Sequence, residues 1–84
     1  MSMSDTQQEQ VLVVEAQGLK CPEPVMLLHA AMRRTEVGNL VRLLATDPST
    51  QRDVGNFCRF LGHELLEKRY SEDQFSYLIR KASS

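Results

Sequence analysis

The chain has 84 residues, which is enough for one small domain with a modest core. Ten basic and eleven acidic residues leave a formal net charge of −1, whereas a stable nucleic-acid binder usually carries a strong basic surplus. We therefore expect no stable nucleic-acid binding. The two cysteines allow at most one disulfide, which excludes a small secreted scaffold stapled by several disulfides.

Residues 1–10 are rich in serine, glutamine and acidic residues, so we expect a disordered N-terminal tail followed by a single domain over residues 11–82. The tail has neither the basic start nor the apolar stretch of a signal peptide, and no apolar run approaches the length of a membrane span. We expect a cytoplasmic protein without a membrane partner, because a free reactive thiol survives in a reducing cytoplasm.

The hydrophobic pattern predicts six elements in the order β-α-β-α-β-β. Strands are expected at residues 11–14, 40–46, 64–70 and 75–80, with helices at 22–34 and from about 50 to Gly62. The two β-α units require a parallel strand pair with right-handed crossovers, and the last two strands form an antiparallel hairpin. We therefore expect an α+β fold, a two-layer α/β sandwich in which both helices cover one face of a mixed four-stranded sheet.

Apolar residues share one face of each predicted helix. In the first helix these are Val25, Leu28, Met32 and Thr35, with Leu27 and Ala31 beside them. In the second they are Val54, Phe57, Cys58 and Leu61, spaced i, i+3, i+4, i+7. This spacing places Cys58 in the core as a small buried hydrophobe. Gly55 interrupts the same helix, and the sequence gives no reason for it.

The stretch at residues 18–24, Gly-Leu-Lys-Cys-Pro-Glu-Pro, carries the chemistry. Because proline is tolerated in the first turn of a helix, we expect Cys21 at the N-cap, Pro22 at N1 and Pro24 at N3. The thiol would then lie at the positive end of the helix dipole beside Lys20, and both features favour the thiolate. The pattern predicts a sulfur nucleophile. The competing interpretation is that Cys21 is a small hydrophobe capping a helix.

The motif has no second cysteine close to Cys21. A dithiol oxidoreductase carries one three positions on, where this chain has Pro24. No local thiol would attack a sulfur atom held on Cys21, so a persulfide there would wait for an external acceptor. That is the chemistry of a sulfur carrier and not of a thioredoxin-like protein. His29 lies eight residues on, about 12 Å along the helix axis, so we expect no Cys-His catalytic pair.

Residues 18–24 match in full the Gly-Leu-basic-Cys-Pro-x-Pro signature of the TusA family of small sulfur carriers, also called SirA-like, and the chain resembles that family. The resemblance continues through Asp47-Pro48, Asp53, Phe57-Cys58, His63-Glu64-Leu65 and residues 77–81, and covers nearly the whole chain. It implies the same two-layer fold. It also implies that a pyridoxal-phosphate-dependent cysteine desulfurase donates sulfur to this protein, which passes it to a downstream sulfur-relay protein.

The resemblance further implies that the sulfur ends in the 2-thiouridine of tRNA wobble positions. In relatives it serves molybdenum-cofactor synthesis or sulfur oxidation instead. By this interpretation the protein is a sulfurtransferase in which Cys21 is the persulfide acceptor and donor. Pro22 and Pro24 fix the geometry of Cys21, and Lys20 aids thiolate formation or docking. We expect a monomer, because a carrier that visits several partners needs transient interfaces.

Acidic residues lie close to the predicted site. Helices that follow parallel strands begin at the same sheet edge, so the Cys21 loop and the loop at residues 47–50 should be neighbours. Glu23 and Asp47 would add negative charge there, and helix capping or complementing the helix dipole competes with any role in sulfur transfer.

No cofactor or metal is expected. The residues Cys21, His29, Cys58 and His63 lack zinc-ligand spacing, and the glycines form no phosphate-binding loop. Two further functions remain open on the residues alone. One is a regulatory or nucleic-acid-binding module in which Cys21 only caps a helix. The other is a thiol redox sensor that forms a Cys21–Cys58 disulfide.

Overall fold

A computed structural model describes residues 11–82. Its elements are β1 (Val11–Ala16), α1 (Glu23–Arg33), β2 (Leu40–Ala45), α2 (Thr50–Leu61), β3 (Glu64–Ser71) and β4 (Gln74–Arg80). This confirms the predicted β-α-β-α-β-β order. The predicted disordered tail at residues 1–10 lies outside the described residues.

The four strands form one mixed sheet in the order β1-β2-β4-β3. β1 pairs with β2 in parallel, and β4 runs antiparallel to both β2 and β3. The hairpin between β3 and β4 turns at Glu72 and Asp73, which both have positive φ, as a two-residue turn of type I′ requires. The mixed sheet is therefore confirmed, and the structure adds that the last strand is inserted beside β2.

The central place of β4 follows from its side chains. Phe75, Tyr77 and Ile79 alternate onto one face of the sheet, and all three are buried. β3 carries charged residues along much of its length and occupies the edge, where charge discourages pairing with other chains.

Both helices pack on the face of the sheet that holds this core. Leu28, Ala31 and Met32 of α1 are buried, as are Val54 and Phe57 of α2. The predicted two-layer arrangement is confirmed. Neither helix in residues 11–82 has the length and apolarity that a membrane crossing requires.

The predicted core stripe of α2 is too long by one residue. Leu61 is 42% exposed, although it continues the i, i+3, i+4, i+7 spacing. It is the last residue of α2, and the chain turns away at Gly62, whose left-handed φ of 78° ends the helix. Helical phase alone does not show where a helix runs past its core.

The first turn of α2 is tied to the central strand. The Thr50 hydroxyl donates to the Asp47 carbonyl oxygen at 2.7 Å, and the buried Tyr77 hydroxyl lies 2.8 Å from the same Thr50 oxygen. Because Thr50 donates to Asp47, its oxygen accepts from Tyr77. This chain of hydrogen bonds fixes the start of α2 relative to the sheet.

Gly55 has no structural justification in this domain. It lies in the middle of α2, and a Cβ built on it would meet no atom within 4 Å. We predict that Gly55→Ala raises the free energy of unfolding by about 1 kcal/mol, because alanine loses less backbone entropy in a helix. Urea denaturation of both proteins measures this. A less stable variant would contradict the prediction.

Candidate functional site

Cys21 lies in the loop between β1 and α1, next to the loop between β2 and α2. Its backbone N–H donates to Asp47 Oδ2 at 2.7 Å. Earlier in the same loop, the Gly18 N–H donates to Thr46 Oγ1 at 2.8 Å. The expected proximity of the two loops is therefore confirmed, and it follows from the parallel pairing of β1 with β2.

The start of α1 is one residue later than predicted. The Met26 N–H donates to the Pro22 carbonyl oxygen at 3.1 Å, so Pro22 is the N-cap. Cys21 therefore precedes the cap, and Pro24 occupies the second helical position and not the third. The Cys21–Pro22 peptide bond is cis. Cys21 cannot be the N-cap because its carbonyl does not accept the first helical hydrogen bond.

Asp47 joins the two loops through its carboxylate. One oxygen accepts from Cys21, and the other accepts from the Ser49 N–H at 3.1 Å. These bonds hold the pKa of the Asp47 carboxyl below its usual range, with the Ser49 backbone bond as the main cause and Lys20 as a lesser one. Ser49 is the N-cap of α2, so Asp47 supports the start of that helix. Within residues 11–82 no side chain makes a capping hydrogen bond to the first turn of α2, so the expectation that Asp47 caps this helix is wrong.

The Cys21 thiol donates to a carboxylate. Its Sγ lies 3.3 Å from Asp53 Oδ2, and Asp53 belongs to the first turn of α2. The other carboxylate oxygen of Asp53 lies 3.6 Å from Arg52 Nε. The Cys21 side chain is exposed, so an approaching reactant can reach the sulfur.

The prediction that the site favours the thiolate is wrong. The hydrogen bond to Asp53 raises the pKa of the Cys21 thiol, helped by desolvation and by the negative charges of Asp53 and Asp47. The nearby Ser49 hydroxyl works against these effects and lowers the pKa. Lys20 is exposed and acts on the Asp47 carboxyl instead. At neutral pH the site therefore holds a protonated thiol.

Asp53 is the site residue whose role the sequence did not reveal. The sequence offered two signals: Asp53 is an acidic residue in the first turn of α2, and it is one of the residues that carry the family resemblance. First-turn acids usually complement the helix dipole, so this position alone gives no reason to expect contact with a thiol. The contact depends on how α2 is rotated about its axis.

The thiol opens into a shallow groove between α1 and α2. Its lining consists of Cys21, Pro22, Val25, His29, Asp53, Asn56, Phe57 and Phe60. The His29 ring packs edge-on against Phe57, with ring centroids 4.7 Å apart. Phe60 is 89% exposed. The face around the thiol is therefore largely apolar.

Glu23, the other predicted supporting residue, is an exposed acid of the first turn of α1.

Cys58 is 4% exposed, as the core pattern predicted. Burial raises the pKa of its thiol to about 11. Both cysteines are free. A buried, protonated thiol is a poor partner for rapid disulfide formation, which argues against the redox-sensor hypothesis.

Among residues 11–82 no group of three or more His, Cys, Asp or Glu side chains could hold a metal ion.

Comparison with known proteins identifies the family. The sequence model described as Sulfurtransferase TusA matches residues 12–81. A sulfur carrier protein TusA from Pseudomonas putida is 54% identical over 69 residues, which cover 82% of this chain and 86% of that protein. One from Pseudomonas savastanoi pv. phaseolicola is 55% identical over 69 residues, or 82% of each. One from Pseudomonas aeruginosa is 51% identical over 69 residues, covering 82% of this chain and 87% of that protein.

The family model, which spans residues 12–81, places the chain among the sulfurtransferases. It belongs to the TusA family, as the resemblance predicted.

The two thiols should react at different rates in the native protein. We predict that iodoacetamide alkylates Cys21 first and Cys58 only after unfolding, because one side chain is exposed and the other is buried. Mass spectrometry of tryptic peptides during the reaction measures both rates. Equal rates in the folded protein would contradict the structure and restore the redox-sensor hypothesis.

Asp47 should make the fold sensitive to acid. Its pKa is lower in the folded chain than the ordinary value of about 3.9. Its ionised form therefore stabilises the fold at pH above about 4, and this contribution is lost as the pH falls toward the folded pKa. We predict that Asp47→Asn is less stable than the wild type at neutral pH and loses less stability on acidification. Urea denaturation at several pH values measures the free energy of unfolding of both proteins. If this free energy fell equally with pH in the two proteins, the prediction would be contradicted.

Proposed function

We propose that the protein is a sulfur carrier that accepts persulfide sulfur on Cys21 and hands it to a second protein. The observation that carries this proposal is the exposed Cys21 thiol with no second reactive thiol to resolve it, since Cys58 is buried. The relatives named sulfur carrier protein TusA support it.

Loading and delivery are the same reaction run between different partners. In loading, Cys21 Sγ attacks the terminal sulfur of a donor persulfide, a new S–S bond forms, and the donor cysteine leaves with the electron pair of the broken S–S bond. In delivery, an acceptor thiol attacks the terminal sulfur on Cys21, and Cys21 is the leaving group. Neither step needs an external oxidant or reductant, because each exchanges one S–S bond for another.

The surroundings of Cys21 suit this exchange. Pro24 occupies the place where a dithiol enzyme has its resolving cysteine, so the persulfide is not discharged within the chain. Pro22 and the Asp47 bond to the Cys21 N–H restrict the loop that presents the sulfur. The apolar groove that ends in Phe60 offers a transient contact surface for the donor.

The proposed donor is a cysteine desulfurase, whose pyridoxal phosphate belongs to the donor and not to this chain. The proposed acceptor is a downstream sulfur-relay protein, and the proposed end use is 2-thiolation of tRNA wobble uridines. Sulfur delivery for molybdenum-cofactor synthesis or sulfur oxidation is the alternative end use. We place the protein in the cytoplasm as a monomer, and we assign the exposed Lys20 to docking.

The test is intact-mass spectrometry after incubation with a cysteine desulfurase and cysteine. We predict that the wild type gains one sulfur atom, that a reductant removes it, and that Cys21→Ser gains none. Cys58→Ser is the matched control, because it also removes one thiol but leaves the exposed one, and it should load like the wild type.

Two outcomes would overturn the proposal. One is a Cys21→Ser protein that still gains sulfur. The other is a wild type that gains none, which would leave the chain with the fold of the family and without carrier chemistry. Circular dichroism of each variant shows whether a loss of loading reflects a loss of fold.

A further inference from the structure

We propose that Asp53 is a catalytic residue, which takes the proton from Cys21 Sγ as the sulfur attacks the donor and returns it when Cys21 leaves. This inference rests on the proposed carrier function and assigns the proton transfer that the function requires. Asp53 is one of the residues that carry the family resemblance, but neither the family description nor the names of the relatives assign it a role.

The geometry supplies a proton acceptor for one atom. Asp53 Oδ2 lies 3.3 Å from Sγ, within the range of a hydrogen bond to sulfur. The other carboxylate oxygen is directed toward Arg52. Oδ2 is therefore the oxygen available to the thiol, and a general base must lie within hydrogen-bond reach of the proton that it removes.

Asp53 is held in place from the core. Its N–H donates to the Ser49 carbonyl oxygen at 3.0 Å as the first helical bond of α2. Thr50, one turn earlier, is bonded to the buried Tyr77. Because the start of α2 is fixed to the sheet, the carboxylate is presented to the thiol by a rigid element, as a catalytic group requires.

A purely structural role does not explain the contact. The Cys21 loop is already joined to the α2 loop by the Asp47 bond to the Cys21 N–H, which does not involve the sulfur. The Asp53 bond is made to the sulfur, which is the reacting atom. Because the Cys21 side chain is exposed, the thiol does not need a protein partner to satisfy its hydrogen bonding. It also raises the pKa of the thiol, which is unfavourable for a nucleophile unless the same carboxylate removes the proton during attack.

The protons balance in both half-reactions. In loading, the Sγ–H bond breaks as Sγ bonds to the terminal sulfur, the proton moves to Oδ2, and the donor cysteine leaves as a thiolate. In delivery, Cys21 leaves as a thiolate and takes the proton back from the Asp53 carboxyl. The acceptor protein supplies a thiolate and retains the persulfide.

Several charged or titratable groups lie around the thiol. They are Asp53 and Arg52 on α2, Asp47 in the loop before it, Lys20 and Glu23 beside Cys21 in sequence, and His29 in the groove. Asp53 is distinguished from the others by its bond to Sγ, so its removal should change the shape of a pH profile.

The experiment measures single-turnover loading of Cys21 by glutathione persulfide, a donor that needs no docking surface. Rates for the wild type and Asp53→Asn are followed by intact mass from about pH 6 to about pH 8. Without the carboxylate the thiol must ionise before attack, so the variant rate should rise about tenfold per pH unit below its thiol pKa. The donor also titrates in this range, but it does so equally with both proteins, so its pH dependence cancels in the ratio of the two rates.

We expect the wild type to load about 10²-fold faster than Asp53→Asn near pH 6, with this ratio falling steadily toward pH 8. Asp53→Glu keeps a carboxylate, so it should retain the pH profile of the wild type even if its rate is lower. Glu36→Gln, at an exposed position in the loop after α1, is the matched control for loss of one negative charge and should load like the wild type.

The contrary results are distinct. A ratio that stays constant with pH would show that Asp53 only positions the loop, and a faster Asp53→Asn would show that its charge merely suppresses the thiolate. Either overturns the catalytic role and leaves the carrier function standing. A wild type that takes no sulfur from either donor overturns both proposals.

Discussion

The chemistry of this protein depends on the parallel pairing of β1 with β2. That pairing brings the two β-α loops to one sheet edge, and Asp47 joins them by accepting from the backbone of Cys21 and of Ser49. Once the loops are joined, the first turn of α2 lies against the thiol, and Asp53 reaches it. In a sheet where these strands ran antiparallel, the two loops would lie at opposite ends.

Two influences compete for the proton on Cys21. The N-terminus of α1 favours a negative sulfur, but Cys21 precedes the cap of that helix, and the dipole effect falls off within about one turn of the helix end. Asp53 accepts directly from the sulfur, and both nearby carboxylates repel a thiolate. The direct hydrogen bond is the stronger effect, so the thiol is protonated at rest. A carrier benefits from this state, because a neutral thiol is less prone to oxidation before it receives its sulfur.

The sequence was sufficient for the element order, the single helical layer, the neighbouring loops and the burial of Cys58, because each follows from hydrophobic period or from strand direction. It was not sufficient for the position of β4 in the sheet. The alternation of apolar and polar residues over 75–79 shows that one face of the strand is buried, but not which strand pairs with it. Nor did the sequence locate the helix start, because proline is tolerated at several first-turn positions. The Asp53 contact joins residues 32 apart and depends on the rotation of α2, which no local pattern records.

The most direct test of this account is the ionisation of the Cys21 thiol itself. Ultraviolet titration of thiolate absorbance in the wild type, minus the same titration of Cys21→Ser, isolates this one group from Cys58. The structure predicts a pKa above the ordinary cysteine value of about 8.5. A pKa below that value would mean that the helix dipole and Lys20 control the sulfur and that Asp53 does not hold its proton.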